Sequence, residues 1–464
     1  MKKFIRSALI VYLLTWLGMF LLIVIIIAAN GETIWDSVKF FAATVVYASF
    51  LKGIHLIFCF IFGLFLLIKY FIITFRKKGI KIFLKRLTLF VLLPVTILIT
   101  SYKSITHLNS QEDFNYTWDT SAENQIGISN NHYQNDGKHR GMSVFGWWGE
   151  RKSAVNDLVK TNVEWVAVIP FIDQDDEQTA TVNIRDNYDK WSRRDSIFIK
   201  TITDLHDKGI HVQLKPHLWL KSGWRSNINF ERKDHWDTWF ESYRINMLHY
   251  AKMAQKTEVE LLCIGTELKT SISKQPEKWN KLISEIKAIY NGKLTYAANW
   301  DGDYDVISFW NQMDYIGIQA YFPLTNAINP DLETIKMGWD THIEMLEKLA
   351  DKYKKPILFT EIGYKSEASS TIKPWEWETG LGLLYREKSD RTQMLAYEAL
   401  FQKLWKQDWF AGIYIWQWNT QSKPKNALKS VDFSPRFKPA ENVITKWFGQ
   451  NLTPEFPFDF IPLK

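Results

Sequence analysis

Two stretches decide how this chain folds: Val259-Glu-Leu-Leu-Cys-Ile-Gly-Thr-Glu-Leu268 and Ile357-Leu-Phe-Thr-Glu-Ile-Gly-Tyr364. Each is a largely apolar run of strand length that reaches Thr-Glu and then continues apolar. A half-exposed strand would alternate polar and apolar residues, so runs like these predict parallel strands buried on both faces. Six further runs of the same kind flank them: Gly141–Trp147, Val163–Phe171, His211–Leu220, Lys293–Trp300, Tyr315–Phe322 and Ala411–Trp418. Between them lie segments of helical period at Ser196–Lys208, Asp234–Lys256, Glu277–Tyr290, Leu332–Tyr353 and Arg391–Gln407. Gly209, Pro276 and Asn291-Gly292 punctuate these segments. Eight strand–helix units across residues 141–450 predict an α/β fold, a (β/α)8 TIM barrel. Glu441–Phe448 reads as the last helix, and residues 451–464, with three prolines, as a tail packed on the barrel.

The part before the barrel has a different composition. The whole chain has 464 residues and a formal net charge of +7. Residues 1–103 hold 13 Lys/Arg against 2 Asp/Glu, whereas residues 104–464 hold 44 against 48. The basic balance is therefore confined to the N-terminal section, and a nucleic-acid partner has no support from the large acidic part. Three apolar stretches, at 7–29, 40–68 and 83–101, predict a membrane anchor of about three transmembrane helices over residues 1–103. Lys2, Lys3 and Arg6 precede the first stretch, and Arg76, Lys77, Lys78, Lys81, Lys85 and Arg86 separate the second from the third. By the positive-inside rule the N-terminus is cytoplasmic; three spans put the barrel outside, in a periplasm or at the cell exterior, whereas a third segment that does not span would leave it cytoplasmic. Residues 104–140 are polar and read as a tether that ends against the domain.

Only Cys59 and Cys263 are present, so neither a disulfide framework nor a Cys-rich zinc site is possible. Asp173, Asp175 and Asp176 miss the spacing of a calcium loop. With no P-loop or dinucleotide fingerprint either, no cofactor and no metal is expected. Tryptophan is abundant: 20 of 22 lie after residue 103. Core packing accounts for most of them, and stacking on the apolar faces of sugars is the other use of such residues.

In a TIM barrel, function collects at the C-terminal ends of the strands. Glu267 and Glu361 stand there, on strands four and seven, in apolar surroundings where an unpaired carboxylate is costly. Two facing carboxylates suit glycosidic cleavage, with a narrow gap for retention and a wider one for inversion. Lys215 and His217, two residues apart, end strand three, where one or both are expected to reach substrate hydroxyls; Thr266 precedes Glu267, Asn299 and Trp300 end strand five, and Tyr321 ends strand six. Tyr321 is placed to donate to Glu361, holding it ionised and oriented. Trp416 and Trp418 on strand eight differ by two residues, so one is expected to face the mouth, with Trp300 and Trp148 extending the platform. Arg185, Arg193 and Arg225 fall in strand-to-helix loops and read as solvated charges.

The stretches Gly141-Met-Ser-Val-Phe-Gly146, Ile264-Gly-Thr-Glu-Leu268, Ala298-Asn-Trp300, Gln319-Ala-Tyr-Phe-Pro323 and Phe359-Thr-Glu-Ile-Gly-Tyr364 together resemble glycoside hydrolase family 113, the β-mannanase family. That family lies within the clan of retaining (β/α)8 glycoside hydrolases. The resemblance covers about two thirds of the chain and none of the membrane section. It implies that Glu267 is the acid/base, that Glu361 is the nucleophile, and that the substrate is a β-linked glycan, β-1,4-mannan or a manno-oligosaccharide. The clan usually carries Asn before its acid/base, where this chain has Thr266; Asn299 is the alternative group for the sugar 2-hydroxyl. Two other roles stand beside hydrolysis: a membrane-tethered trimming enzyme or transglycosylase acting on envelope or exported polysaccharide, and a barrel that binds glycan without cutting it.

Overall fold

The computed structural model describes residues 2–29, 33–45, 48–109, 114–145, 151–183, 188–377, 386–427 and 429–452. The chain divides into two compact units, Met1–Ser104 and Ile105–Lys464.

The first unit is helical, with helices Lys2–Ala29, Ile34–Val45 and Ala48–Leu87. A π-helical turn, Thr88–Leu92, then leads into the helix Leu93–Asn109. Two stretches are long and apolar enough to cross a membrane, Phe4–Ile25 and the 55-residue Leu51–Ile105. Three separate apolar helices were expected; instead, the second and third spans lie within one nearly continuous helical run. Its interruption is Gly79, whose φ of 73° and ψ of 174° are not helical. The expected second span also begins differently, since Phe40 belongs to the helix Ile34–Val45. Edge-to-face contacts of Phe4 with Phe62 and Tyr12 with Phe58 join the first helix to Ala48–Leu87.

The second unit is the barrel. Its strands are β1 (His139–Phe145), β2 (Trp165–Val168), β3 (His211–Leu214) and β4 (Leu261–Thr266), followed by β5 (Lys293–Asn299), β6 (Tyr315–Gln319), β7 (Ile357–Ile362) and β8 (Phe410–Asn419). Every strand pairs in parallel with its neighbours in sequence, and β8 returns to β1 to close the barrel. At that seam His139 faces Gly412. Gly412 has a φ of +117°, and a Cβ there would lie 2.4 Å from the His139 carbonyl oxygen, so glycine alone fits. All residues of β2, β4, β6 and β7 are buried, as their apolar runs predict.

Two expected strands are shorter than their apolar runs. Val163–Phe171 stops at Val168 and His211–Leu220 stops at Leu214, in each case just before a proline, Pro170 and Pro216. Proline has no N–H for the ladder, so both strands leave the barrel there. Their continuations, Phe171–Gln174 and His217–Leu220, pair with each other as a separate two-stranded sheet at the C-terminal end of the barrel.

The segment read as a tether makes contacts well before residue 140. Tyr116 donates to Asn442 Oδ1 at 2.7 Å, the Asn124 N–H donates to the Lys160 carbonyl, and the Ser129 N–H donates to the Lys208 carbonyl. A short helix, Tyr133–Asp136, then inserts the fully buried Tyr133 among the residues that begin the strands. Its hydroxyl meets that of Tyr315 at 3.1 Å, and its ring stands edge-on to Trp165. Trp165 stacks on His139 at 4.0 Å, and His139 Nδ1 bonds the Tyr414 hydroxyl. This aromatic plug closes the N-terminal end of the barrel. Beside it, Arg140 and Asp136 form a fully buried ion pair at 2.5 Å, and Arg140 also donates to the carbonyls of Phe448 and Gln450. Residues 453–464, most of the expected tail, lie outside the described residues.

Tyr133→Ala empties the plug and is expected to cost about 3–5 kcal/mol of stability. Urea unfolding measures this, and a loss below about 1 kcal/mol would mean the plug is dispensable.

Candidate active site

The C-terminal ends of β3, β4, β6 and β7 bring together the central groups. Glu361 lies within β7 and is buried, with one carboxylate oxygen to each of two partners. Tyr321, just past β6, donates to Oε1 at 2.6 Å, and Lys215, just past β3, donates to Oε2 at 2.8 Å. Lys215 is completely buried and also donates to Gln319 Oε1 at 2.6 Å. Pro216 explains how a β3 residue comes to do this: the strand breaks there, leaving Lys215 at the barrel mouth. Burial raises the Tyr321 hydroxyl well above the usual tyrosine range; the charge of Glu361 and, more weakly, that of Glu267 add to it. Tyr321 therefore stays a protonated donor close to both carboxylates.

Glu267 follows β4 directly and is also buried. Its φ of 52° is in the left-handed region, which costs a non-glycine residue about 1–2 kcal/mol. Hydrogen bonds hold the turn: the Glu267 N–H donates to the Ala297 carbonyl at 2.9 Å, and the Leu268 N–H donates to the Tyr296 hydroxyl at 2.6 Å. Arg225 grips the carboxylate from the loop after His217–Leu220, with Nε at 3.0 Å and Nη2 at 2.5 Å from Oε2. The arginine itself is only 11% exposed at its side chain. Each buried glutamate is thus matched by one cation, which offsets a desolvation cost of several kcal/mol per ion.

Three comparisons with known proteins bear on this geometry. Residues 141–438 match the family model described as Glycoside Hydrolase Family 113. The chain belongs to glycoside hydrolase family 113. A comparison with curated proteins finds no match. Among solved structures, a GH113 β-1,4-mannanase in a complex is 27% identical, with a TM-score of 0.58, covering 67% of this chain and 98% of that one. A second GH113 β-1,4-mannanase structure has the same identity and TM-score over 66% of this chain and 97% of that one. The β-mannanase AaManA from Alicyclobacillus acidocaldarius, in complex with ManMIm, shares the fold at 24% identity, with a TM-score of 0.58 over 67% of this chain and 97% of that one.

The remaining expected site residues of this family 113 hydrolase are distributed unevenly. His217 is buried against Phe171, with the rings stacked at 5.7 Å and, among the described residues, no hydrogen-bond partner on either ring nitrogen. Burial, then the charges of Arg225 and Lys215, hold it well below the usual histidine range, so it is neutral. Thr266 is buried at the end of β4, and Asn299, half-buried, ends β5. Trp300 is half-buried against Trp375, with ring centroids 4.6 Å apart. On β8, Trp416 is half-buried and begins a cis peptide to Gln417, whereas Trp418 is buried beneath the Arg436 guanidinium. Of the two, Trp416 is the one with surface to offer a ligand. Trp148 and Arg185 lie outside the described residues, and Arg193 falls in the helix Tyr188–His206 rather than in a loop.

Arg225, read from sequence as a solvated loop charge, is instead bound to the Glu267 carboxylate. Asp303 is a second buried carboxyl near Glu267 that the sequence reading did not single out. It follows β5, accepts from the Asn299 N–H at 3.2 Å and lies 3.7 Å from Lys269. Burial pushes its carboxyl up to about 6, with Glu267 adding to the rise and Lys269 opposing it. The unfolded value is 3.8. The folded state therefore holds this proton more tightly, and the resulting stabilisation is complete below about pH 4 and lost as pH rises to about 6. The loss amounts to about 3 kcal/mol. In urea unfolding at several pH values, Asp303→Asn is expected to remove that slope; parallel pH dependences for variant and parent would refute it.

Proposed function

We propose that this glycoside hydrolase is a membrane-anchored retaining enzyme that cleaves β-1,4-mannan or manno-oligosaccharides outside the cytoplasm. The observation that carries the mechanism is the different dressing of the two carboxylates. Glu361, with one carboxylate oxygen on Tyr321 and the other on Lys215, has the fixed orientation that a nucleophile needs. Glu267 has one carboxylate oxygen, Oε2, tied to Arg225. In the first half-reaction Glu267 gives its proton to the leaving oxygen as Glu361 bonds the anomeric carbon. In the second, the Glu267 carboxylate takes a proton from the water that releases the sugar. Lys215 and Tyr321 act through Glu361, and Trp416 and Trp300 offer apolar faces to the sugars. His217, Thr266 and Asn299 bring polar groups, with Asn299 the candidate for the 2-hydroxyl. The mannan assignment rests on the relatives, which are described as β-1,4-mannanases.

Three membrane crossings fit the first unit. Gly79 divides the long apolar run into lengths before and after it that each exceed the roughly 20 residues a span requires. The cationic cluster from Arg76 to Arg86 surrounds that break, which suits a cytoplasmic loop. A reporter active only outside the cytoplasm is expected to work when fused after residue 109 and to fail when fused at Gly79. The reverse result would place the barrel inside.

The enzymatic test is product release by the full chain in detergent from a panel of β-mannans, β-glucans and manno-oligosaccharides. Glu267→Gln is expected to lose about 10²–10⁴-fold on mannan, and Glu361→Gln to fall at least as far. Undiminished cleavage by either variant would reassign that glutamate; turnover of β-glucans alone would reassign the substrate.

A further inference from the structure

Arg225 presents a chemical conflict if Glu267 starts the reaction as an acid. Its guanidinium donates both Nε and Nη2 to the same carboxylate oxygen, and these charge-assisted bonds favour the form that has already lost its proton. The arrangement is built rather than incidental. Nη1 of Arg225 donates to the Leu218 carbonyl at 3.2 Å, and the Trp224 ring lies under the guanidinium at 4.8 Å. The loop is pinned in turn by Glu177, which accepts from the Trp224 N–H at 2.7 Å and the Asn227 side chain at 3.0 Å. Among the described residues Arg225 is the cation hydrogen-bonded to Glu267; Lys215, the other buried cation of the site, is engaged by Glu361.

We propose that Arg225 is a positioning residue that divides the work of Glu267 between the two half-reactions. This rests on the acid/base role given to Glu267 above. In the first half, the Glu267 proton moves to the glycosidic oxygen, the C1–oxygen bond breaks, and a bond forms between C1 and Glu361. Negative charge appears on Glu267 as this happens, and the Arg225 donors are already aimed at it. Starting from protonated Glu267, stabilisation that grows toward the transition state speeds the step, most of all for a poor leaving group such as a sugar hydroxyl. In the second half, Glu267 takes a proton from water, the water oxygen bonds C1, and the bond from C1 to Glu361 breaks. Charge on Glu267 is then consumed, and Arg225 restrains the step. The arginine thus favours departure of sugar leaving groups over release of the glycosyl enzyme.

The test compares two substrates on the full chain: mannohexaose, whose leaving group needs the acid, and dinitrophenyl β-mannobioside, whose leaving group does not. Arg225→Gln is expected to lower kcat/KM on mannohexaose by about tenfold to a hundredfold, the value of the lost charge-assisted bonds. The loss on the dinitrophenyl substrate is expected to be at least tenfold smaller. Arg225→Lys keeps the charge without the planar fork, and should recover part of the mannohexaose rate. Equal losses on both substrates would mean that Arg225 only shapes its loop, and no loss on either would mean that Glu267 works without it; each overturns the proposal. A parent protein that cleaves neither substrate would overturn the functional reading itself, and this inference with it.

Discussion

Lys215 spans the barrel mouth from the end of β3 to Glu361 on β7, and the site is arranged around that buried pairing. A carboxylate inside a barrel of apolar strands is tolerable only with a cation and full hydrogen bonding. Glu361 has both, because β3 ends at Leu214 and leaves Lys215 free of the strand before Pro216, and because β6 sets Tyr321 beside the other carboxylate oxygen. Glu267 meets the same demand differently. Its cation comes from a loop rather than a strand end, held there by the Leu218 carbonyl and by Glu177. One glutamate is fixed by the scaffold and the other by a side chain on a loop, and the proposed division into nucleophile and acid/base rests on that asymmetry.

Much of this was legible in the sequence because it follows from strand burial. The eight apolar runs and the two Thr-Glu endings required no tertiary information, and Tyr321 follows from the strand adjacent to Glu361. Pro170 and Pro216 carried a signal that the apolar pattern masked. Both runs continue with residues suited to strands, and only the missing N–H in each marks where the ladder stops. Arg225 was beyond such reasoning. Its role depends on Glu177 folding the loop back, a contact between residues in different strand-to-helix connections.

The aromatic content divides in the same way. Trp165, Trp239, Trp279, Trp310, Trp339, Trp405 and Trp418 are fully buried and Trp236 and Trp409 nearly so, so among the described residues of the second unit the tryptophans that serve packing outnumber the exposed ones. Among the described residues the exposed ones of the second unit are Trp118, Trp219, Trp224, Trp375 and Trp377. Tyr133 could not be assigned to the plug from sequence, since it lies in a polar stretch whose burial depends on where Trp165, Tyr315 and Tyr414 converge.

The seam between β1 and β8 also has a consequence for the order of events during synthesis. His139 emerges from the ribosome long before Gly412, its partner across the seam, and Arg140 awaits the carbonyls of Phe448 and Gln450. Until β8 is made, β1 has an open edge, and until the last helix is made Arg140 lacks those two acceptors. Contacts between such distant parts of a chain form slowly and leave apolar edges uncovered meanwhile. A ribosome stalling anywhere before β8 would therefore leave an unclosed barrel, and a C-terminal deletion that reaches Phe448 should act on folding yield rather than on chemistry.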